Sequence, residues 1–467
     1  MTIINAINNT GYTLNGATTL TSTLNANLDF FAQAGAMRGQ NNRLIDLFEK
    51  AYRENKLLAI LNLFHLRDVR GGKGERSSFR VLMEWVNEHD RNTFNTIFHL
   101  IPQYGRWDDL LIFVDNDEVV NYVAFQLDAD TELDHISLLG KWMPSEGSAN
   151  DKLAKQWMNA LGLTPRAYRK LLSKLRAKLN IVEKNLSQKQ YHLIEYQAVP
   201  SYAMKRYRKA FSKNDPNRFS EYMAAVQLGK AKINSSVMYP YDFIREMGKY
   251  DATLQAQWDA LPDFVDGNFL VVCDVSGSMA GMPIQMSIGL GLYTAERNKG
   301  YFKDHLITFE TTPKLVKVSG NLQERYKKVA LMPWGGSTNL QAVFDLVLKA
   351  ACTHNLSEED MPKAILIISD MEFDQATEGK TNYQAIERKY RDAGYDIPLL
   401  VFWNVNSKQN NVAVSGTQKN TMLVSGSSVH TFKSVCALKD NIPTPLEVMH
   451  LELYGSRYEA VRSVLGI

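Results

Sequence analysis

The sequence predicts an α + α/β protein: a helical N-terminal half, then a domain built on a mostly parallel sheet. Two patterns carry that expectation. From about residue 41 to 250, apolar residues recur at helical spacing, as in Leu44, Leu47, Phe48 and Ala51, in Leu57, Ile60, Leu61 and Phe64, and in Tyr168, Leu171, Leu172, Leu175 and Leu179. From about 262, short β-branched runs alternate with amphipathic stretches, which implies parallel strands with right-handed helical crossovers. A chain of 467 residues has room for two to four such units.

Residues 1–40 are rich in Asn, Thr and Gly and read as an extended lead-in packing on the rest, with one apolar knot at Leu28, Phe30 and Phe31. Residues 41–260 read as helices separated by Gly and Pro (Gly71, Gly72, Pro102, Pro144, Pro165, Pro200, Pro216), an antiparallel, HEAT-like array without a clean repeat. Residues 261–467 form the second domain. Its expected strands are 269–273, 304–309, 364–369 and 397–403, followed by a turn at 424–426 and closing helical structure from 446 to 465.

The run Phe269-Leu270-Val271-Val272-Cys273 leads directly into Asp274-Val275-Ser276-Gly277-Ser278. A buried strand thus ends in one carboxylate and two hydroxyls at alternate positions. These are hard oxygen ligands of the kind Mg²⁺ or Mn²⁺ takes. They stand where an open α/β sheet places its ligand site. Pro333 to Asn339 is a glycine turn presenting Thr338, and a second buried strand, Ala364 to Ser369, ends at Asp370. Asp374 reads as a loop acid, with a supporting role behind the site as the alternative.

This ordered trio resembles the metal-ion-dependent adhesion site of von Willebrand factor A domains, which are Rossmann-like. The resemblance implies that Ser276 and Ser278 bind the ion directly, Thr338 directly or through water, and Asp274 and Asp370 mostly through water. One coordination position is then left for a protein partner's carboxylate, a phosphate or water.

The net charge of +3 conceals an asymmetry. Between Lys152 and Lys232, eighteen Lys and Arg stand against four acids (Glu183, Glu195, Asp215, Glu221), so the remainder of the chain is acidic. Arg166, Lys170, Lys174 and Lys178 fall at i, i+4 spacing, and Arg169 and Arg176 widen the row. Lys205, Arg206, Arg208 and Lys209 form a second cluster among Tyr202, Tyr207 and Phe211. Cations with interleaved aromatics suit RNA, phosphates on the charges and bases on the rings.

Other chemistry finds no support. Arg67 to Arg76 contains Gly71-Gly72-Lys73-Gly74 but lacks P-loop order and a preceding strand, so it reads as a glycine turn with internal Arg–acid pairs. No metalloprotease, serine-hydrolase or Cys-x-x-Cys pattern occurs, and no general base stands beside the metal motif, so the chain reads as non-enzymatic. Three widely spaced cysteines read as reduced core thiols. With no apolar leader and no stretch of 18 apolar residues, a cytoplasmic protein without membrane segments is expected.

The helical segment with Arg67-Asp68-Val69-Arg70-Gly71-Gly72-Lys73-Gly74-Glu75-Arg76, followed by the A-type motif, resembles the Ro autoantigen family, in which a helical TROVE ring is closed by a von Willebrand A domain. It is similar above all to a branch found in plants, viruses and phages, through Pro102 to Leu110, Lys141-Trp142-Met143-Pro144 and Asp370 to Asp374. Ro proteins bind small noncoding RNAs on the ring's outer surface and single-stranded 3′ ends of misfolded RNAs in its hole. The resemblance therefore implies RNA binding by this chain. The rival expectation is a metal-dependent assembly module that meets an acidic protein and no RNA.

Overall fold

The computed structural model describes residues 8–466, apart from 180, 310–311, 333–337, 376–379 and 439–441. Its C-terminal half holds a six-stranded sheet of β3 (Phe269–Cys273), β4 (His305–Thr308), β5 (Leu315–Lys317), β6 (Ala364–Ser369), β7 (Leu399–Asn404) and β8 (Thr421–Ser425). The order is β5-β4-β3-β6-β7-β8, with only the edge strand β5 antiparallel. β3, β6, β7 and β8 are buried along their whole length, which is why their sequences lack alternation.

From β3 the chain turns to β4 on one side and later to β6 on the other. The carboxyl ends of β3 and β6 therefore flank the switch in strand order, where open α/β sheets form their crevice. Helix Met282–Arg297 lies close on β3, because a side chain at Gly291 would strike the Cys273 sulfur at 2.1 Å.

The sequence-based strands differ at three places. β7 starts at Leu399, after Pro398, which has no N–H for the ladder. The stretch 424–426 ends a full strand, β8, and is more than a turn. β5 is a three-residue edge strand too short to carry a pattern.

The helical half begins earlier than its periodicity indicates. Residues 1–40 are not wholly extended: β1 (Thr10–Tyr12) pairs with β2 (Thr18–Leu20), and a helix runs over Ala26–Gln33. Asn25 caps that helix by accepting from Leu28 N at 2.7 Å. Leu28, Phe30 and Phe31 are buried, and Phe30 meets Phe48 at 5.4 Å. The backbone then passes so close to β8 that a side chain at Gly35 would meet the Ser425 carbonyl at 2.8 Å.

Helices Asn41–Glu54, Lys56–Arg67 and Pro165–Lys178 bury most of the apolar residues that mark them in the sequence, with Leu57 and Leu171 half-buried against the same core, and Arg76–His89 buries Phe79, Leu82, Met83 and Val86. One continuous apolar core runs from these helices into one face of the sheet, while Ile194 to Ile233 supply a separate cluster. The C-terminal half touches both ends of the array. Helix Glu459–Val464 packs on Lys56–Arg67, and Met282–Arg297 packs on Pro240–Ile244. No described helix is long and apolar enough to cross a membrane.

The segment 67–76 is a turn, but the expected internal pairs do not form: Arg67 and Arg76 pair with Asp109 and Asp108, Glu75 with Arg38 and Asp68 with Arg457, because the turn is packed against other elements. Arg67 Nη2 lies 2.7 Å from Asp109 Oδ2, both wholly buried, and Arg80 Nε lies 2.8 Å from Asp109 Oδ1. Lys73 is buried, donating to Ser425 Oγ at 2.8 Å and to the Phe31 carbonyl; burial lowers its amine to about 7. Of the cysteines, Cys273 is buried, but Cys352 is exposed on its helix and is not a core thiol.

Candidate functional site

β3 and β6 are paired with Cys273 opposite Ile368, so Asp274 and Asp370 emerge from adjacent strand ends. Both are fully buried. Asp274 Oδ1 accepts from Ser276 N at 2.9 Å, and its Oδ2 accepts from Ser369 Oγ at 2.6 Å. Ser276 Oγ and Ser278 Oγ lie 3.0 Å apart, and Ser278 Oγ donates to Asp370 Oδ2 at 2.7 Å. Four of the five expected ligands thus form one hydrogen-bonded oxygen cluster. Burial pushes the Asp274 carboxyl above its ordinary value, and the charge of Asp370 adds to that against the hydrogen bonds of Ser276 and Ser369.

Thr338 is buried on the adjoining turn. Its hydroxyl lies 2.8 Å from the Glu372 carbonyl and 2.9 Å from Asp374 Oδ1, and its N–H donates to Asp374 Oδ2 at 2.8 Å. Asp374 is therefore the group that holds Thr338, beyond the loop acid its position suggests. The glycine turn itself, residues 333–337, lies outside the described residues. Met371, next to Asp370, takes a left-handed φ of +66°, unusual for a side-chain-bearing residue and concentrated at functional sites.

Three contributors escape sequence reasoning. Asn15 of the lead-in donates through Nδ2 to the Glu372 carbonyl at 2.6 Å and to Thr338 Oγ1 at 3.2 Å. Glu372, buried, accepts from Leu14 N at 2.6 Å and Asn411 Nδ2 at 3.2 Å. Lys408, in the loop after β7, places Nζ 3.0 Å from Asp370 Oδ2. The only available signal is topological: the loop after β7 must rise beside the end of its neighbour β6.

The donor set fits Mg²⁺ or Mn²⁺, since it comprises carboxylates and hydroxyls alone. No group of three or more His, Cys, Asp or Glu suited to a metal occurs among the described residues.

The basic residues divide into two sets. On Pro165–Lys178, Thr164 caps the start, and Tyr168, Leu172 and Leu175 face the core. Arg166, Lys170 and Lys174 are exposed, with no carboxylate partner among the described residues; Arg169 is exposed and paired with Glu146. Arg176 points inward, donating to the carbonyls of Gly140 (2.9 Å) and Met143 (2.8 Å). Lys178 donates to the carbonyls of Thr131 (2.7 Å) and Leu133 (2.8 Å), closing helix Asp117–Glu132.

In the second cluster Lys205 lies 3.3 Å from Asp242 Oδ1. Arg208 is buried, 2.7 Å from Asp251 Oδ2. Arg206 and Lys209 are exposed, Arg206 resting 5.6 Å from the centre of the Tyr207 ring. Arg176, Lys178, Lys205 and Arg208 therefore hold the fold together and do not present a free cationic face. On the same helix as the exposed row, a cleft of about 510 Å³ is lined by Glu146, Tyr168, Arg169, Ser173, Arg176 and Lys184.

Two family models match the chain, both domains of unknown function: DUF2828 over residues 13–114 and 156–265, and DUF7788 over residues 268–446. The uncharacterized protein L728 of Acanthamoeba polyphaga mimivirus is 30% identical over 503 residues, covering 96% of this chain and 88% of its own. The crystal structure of the Ro (RSR) protein of Deinococcus radiodurans aligns with 90% of this chain and 92% of its own, at 12% identity and a TM-score of 0.38.

Proposed function

We propose, for a chain that belongs to the same family as the mimivirus protein L728, a non-enzymatic RNA-binding role for the helical half and a Mg²⁺-dependent adhesion role for the strand-end cluster. The observation that carries the RNA reading is the row Arg166, Lys170 and Lys174, three exposed cations at i, i+4 spacing, free of carboxylates among the described residues and on a helix that lines an open cleft. Cations left unpaired on one face are available to phosphates, and the release of counterions drives such binding. Arg206 and Lys209 extend the available charge, and Arg206 with Tyr207 offers planar groups for an unpaired base.

At the other site, Asp274, Ser276, Ser278, Thr338 and Asp370 would hold the ion, and a bound Mg²⁺ supplies an open position for an anionic oxygen of a partner. The test is purification of the full chain followed by measurement of its 260/280 absorbance ratio and of its binding to a labelled structured RNA at low and physiological salt. Copurifying RNA and salt-sensitive binding are expected. A nucleic-acid-free protein that binds no RNA at low salt would leave the metal-dependent assembly module as the better reading.

A further inference from the structure

Among the described residues, Lys408 is the cation that reaches the oxygen cluster. Its ammonium touches Asp370, whose carboxylate also receives Ser278 Oγ and, at 3.2 Å, the Glu372 N–H. The Asp370 side chain is closed to solvent, whereas that of Lys408 is 28% exposed, so Lys408 has water to withdraw into. Its backbone has no such freedom. Ser407 N donates to the Ala36 carbonyl at 3.0 Å, and Gln40 Nε2 donates to the Ser407 carbonyl at 2.7 Å. Arg43 holds the carbonyls of Ser407 and Lys408 at 2.9 and 2.8 Å. A positive charge beside two adjacent buried carboxylates offsets their mutual repulsion. A monovalent ammonium and a divalent ion cannot both stand against Asp370 without repelling each other.

We propose that Lys408 and the divalent cation are alternative counterions of Asp370, exchanged by rotation of the lysine side chain over a fixed loop. The inference rests on the metal-site reading. Lys408 holds the metal-free site together and sets the threshold of divalent concentration at which the site fills. Once displaced, its ammonium stays at the rim, tethered by the anchored backbone.

The test is calorimetric titration of MgCl₂ and MnCl₂ into the full chain, with Lys408→Met and Lys408→Arg beside it, together with melting curves with and without metal. Lys408→Met is expected to bind divalents at least tenfold more tightly, to melt lower without metal and to gain more from it. Lys408→Arg is expected to bind no more tightly than the unaltered chain. If the Met variant does not fold, Lys408→Gln takes its place with the same expectation. If the unaltered chain binds Mg²⁺ and removal of the ammonium leaves affinity equal or weaker, the exchange is wrong while the metal site stands. If neither protein binds either ion, the metal reading falls and the exchange falls with it.

Discussion

Arg457 grips Asp68 with two parallel hydrogen bonds, Nε to Oδ2 at 2.7 Å and Nη2 to Oδ1 at 2.8 Å, across 389 residues of sequence. Asp68 is fully buried, and Tyr458 Oη adds a third bond to Oδ2 at 3.3 Å. Burial, the largest single influence, would raise this carboxyl; the bonds from Arg457 and the Arg70 N–H, with the charges of Arg457 and His65, together outweigh it and the net shift is downward.

Removing Arg457 leaves that carboxylate buried without its partner. Arg457→Ala is expected to lower stability by about 1–3 kcal/mol in urea denaturation, the range for leaving a buried acceptor without its donor, since Asp68 is buried while Arg457 is partly exposed. The double variant Asp68→Leu/Arg457→Met should recover much of that deficit. Because the folded carboxyl is depressed, the pair's contribution is present above the ordinary carboxylate pKa and fades as pH falls through the folded value.

His430 gives the chain an acid sensitivity of opposite chemistry. Burial, assisted by the charge of Lys433, lowers its imidazole to about 4. The unfolded chain takes up the proton near 6.5 and the folded chain does not, so stability falls as pH drops from 6.5 toward 4. Between pH 7 and pH 5 the decrease attributable to this group is about 2 kcal/mol. His430→Gln should flatten that part of the pH profile in denaturant titrations.

Asp274→Ala is expected to abolish divalent binding while leaving the fold intact, because the raised carboxyl shows that this buried charge is held at a cost in the metal-free protein. Calorimetry with Mg²⁺ and a far-ultraviolet spectrum check both halves of the expectation.

The two sets of basic residues should separate cleanly. Replacing Arg166, Lys170 and Lys174 with Gln is expected to weaken RNA binding without moving the melting temperature. In duplex regions the salt dependence should become shallower by roughly one unit for each phosphate that is no longer neutralised. Arg208→Gln and Arg176→Gln are expected to lower the melting temperature: the first removes a buried guanidinium that ties Asp251 and the Lys249 carbonyl to its helix, the second leaves the carbonyls of the buried residues Gly140 and Met143 without their donor. Full RNA affinity in the triple variant would reduce the row to a solvated face.

Much of this architecture is legible in the amino-acid sequence. Strands buried on both faces write themselves as unbroken apolar runs, and Asp274 and Asp370 mark their ends. The helical repeat of Leu172 and Leu175 likewise names a core face. What stays hidden depends on distant neighbours. Sequence spacing places Arg176 and Lys178 in a row of cations but cannot show that the carbonyls of Met143 and Leu133 end beneath them. The Asn-rich lead-in conceals a helix because its stability comes from Phe30 against Phe48 and from β8, not from its own propensity. Lys408 carries no local signature, since only the order of β6 and β7 brings it to Asp370.

The pairing of Gly35 and Lys73 with Ser425, and of Asp68 with Arg457, has a bearing on synthesis. The first helices to leave a ribosome would find these partners only after some 350 to 390 further residues had been made. At cellular elongation rates that is a wait of about 20 to 80 seconds. Throughout it Lys73 lacks Ser425 and Asp68 lacks Arg457, and the lead-in has no sheet to lie on. The half-made chain is thus the state most in need of a chaperone, and a premature stop near residue 420 would release a product whose earliest segments are as incomplete as its last.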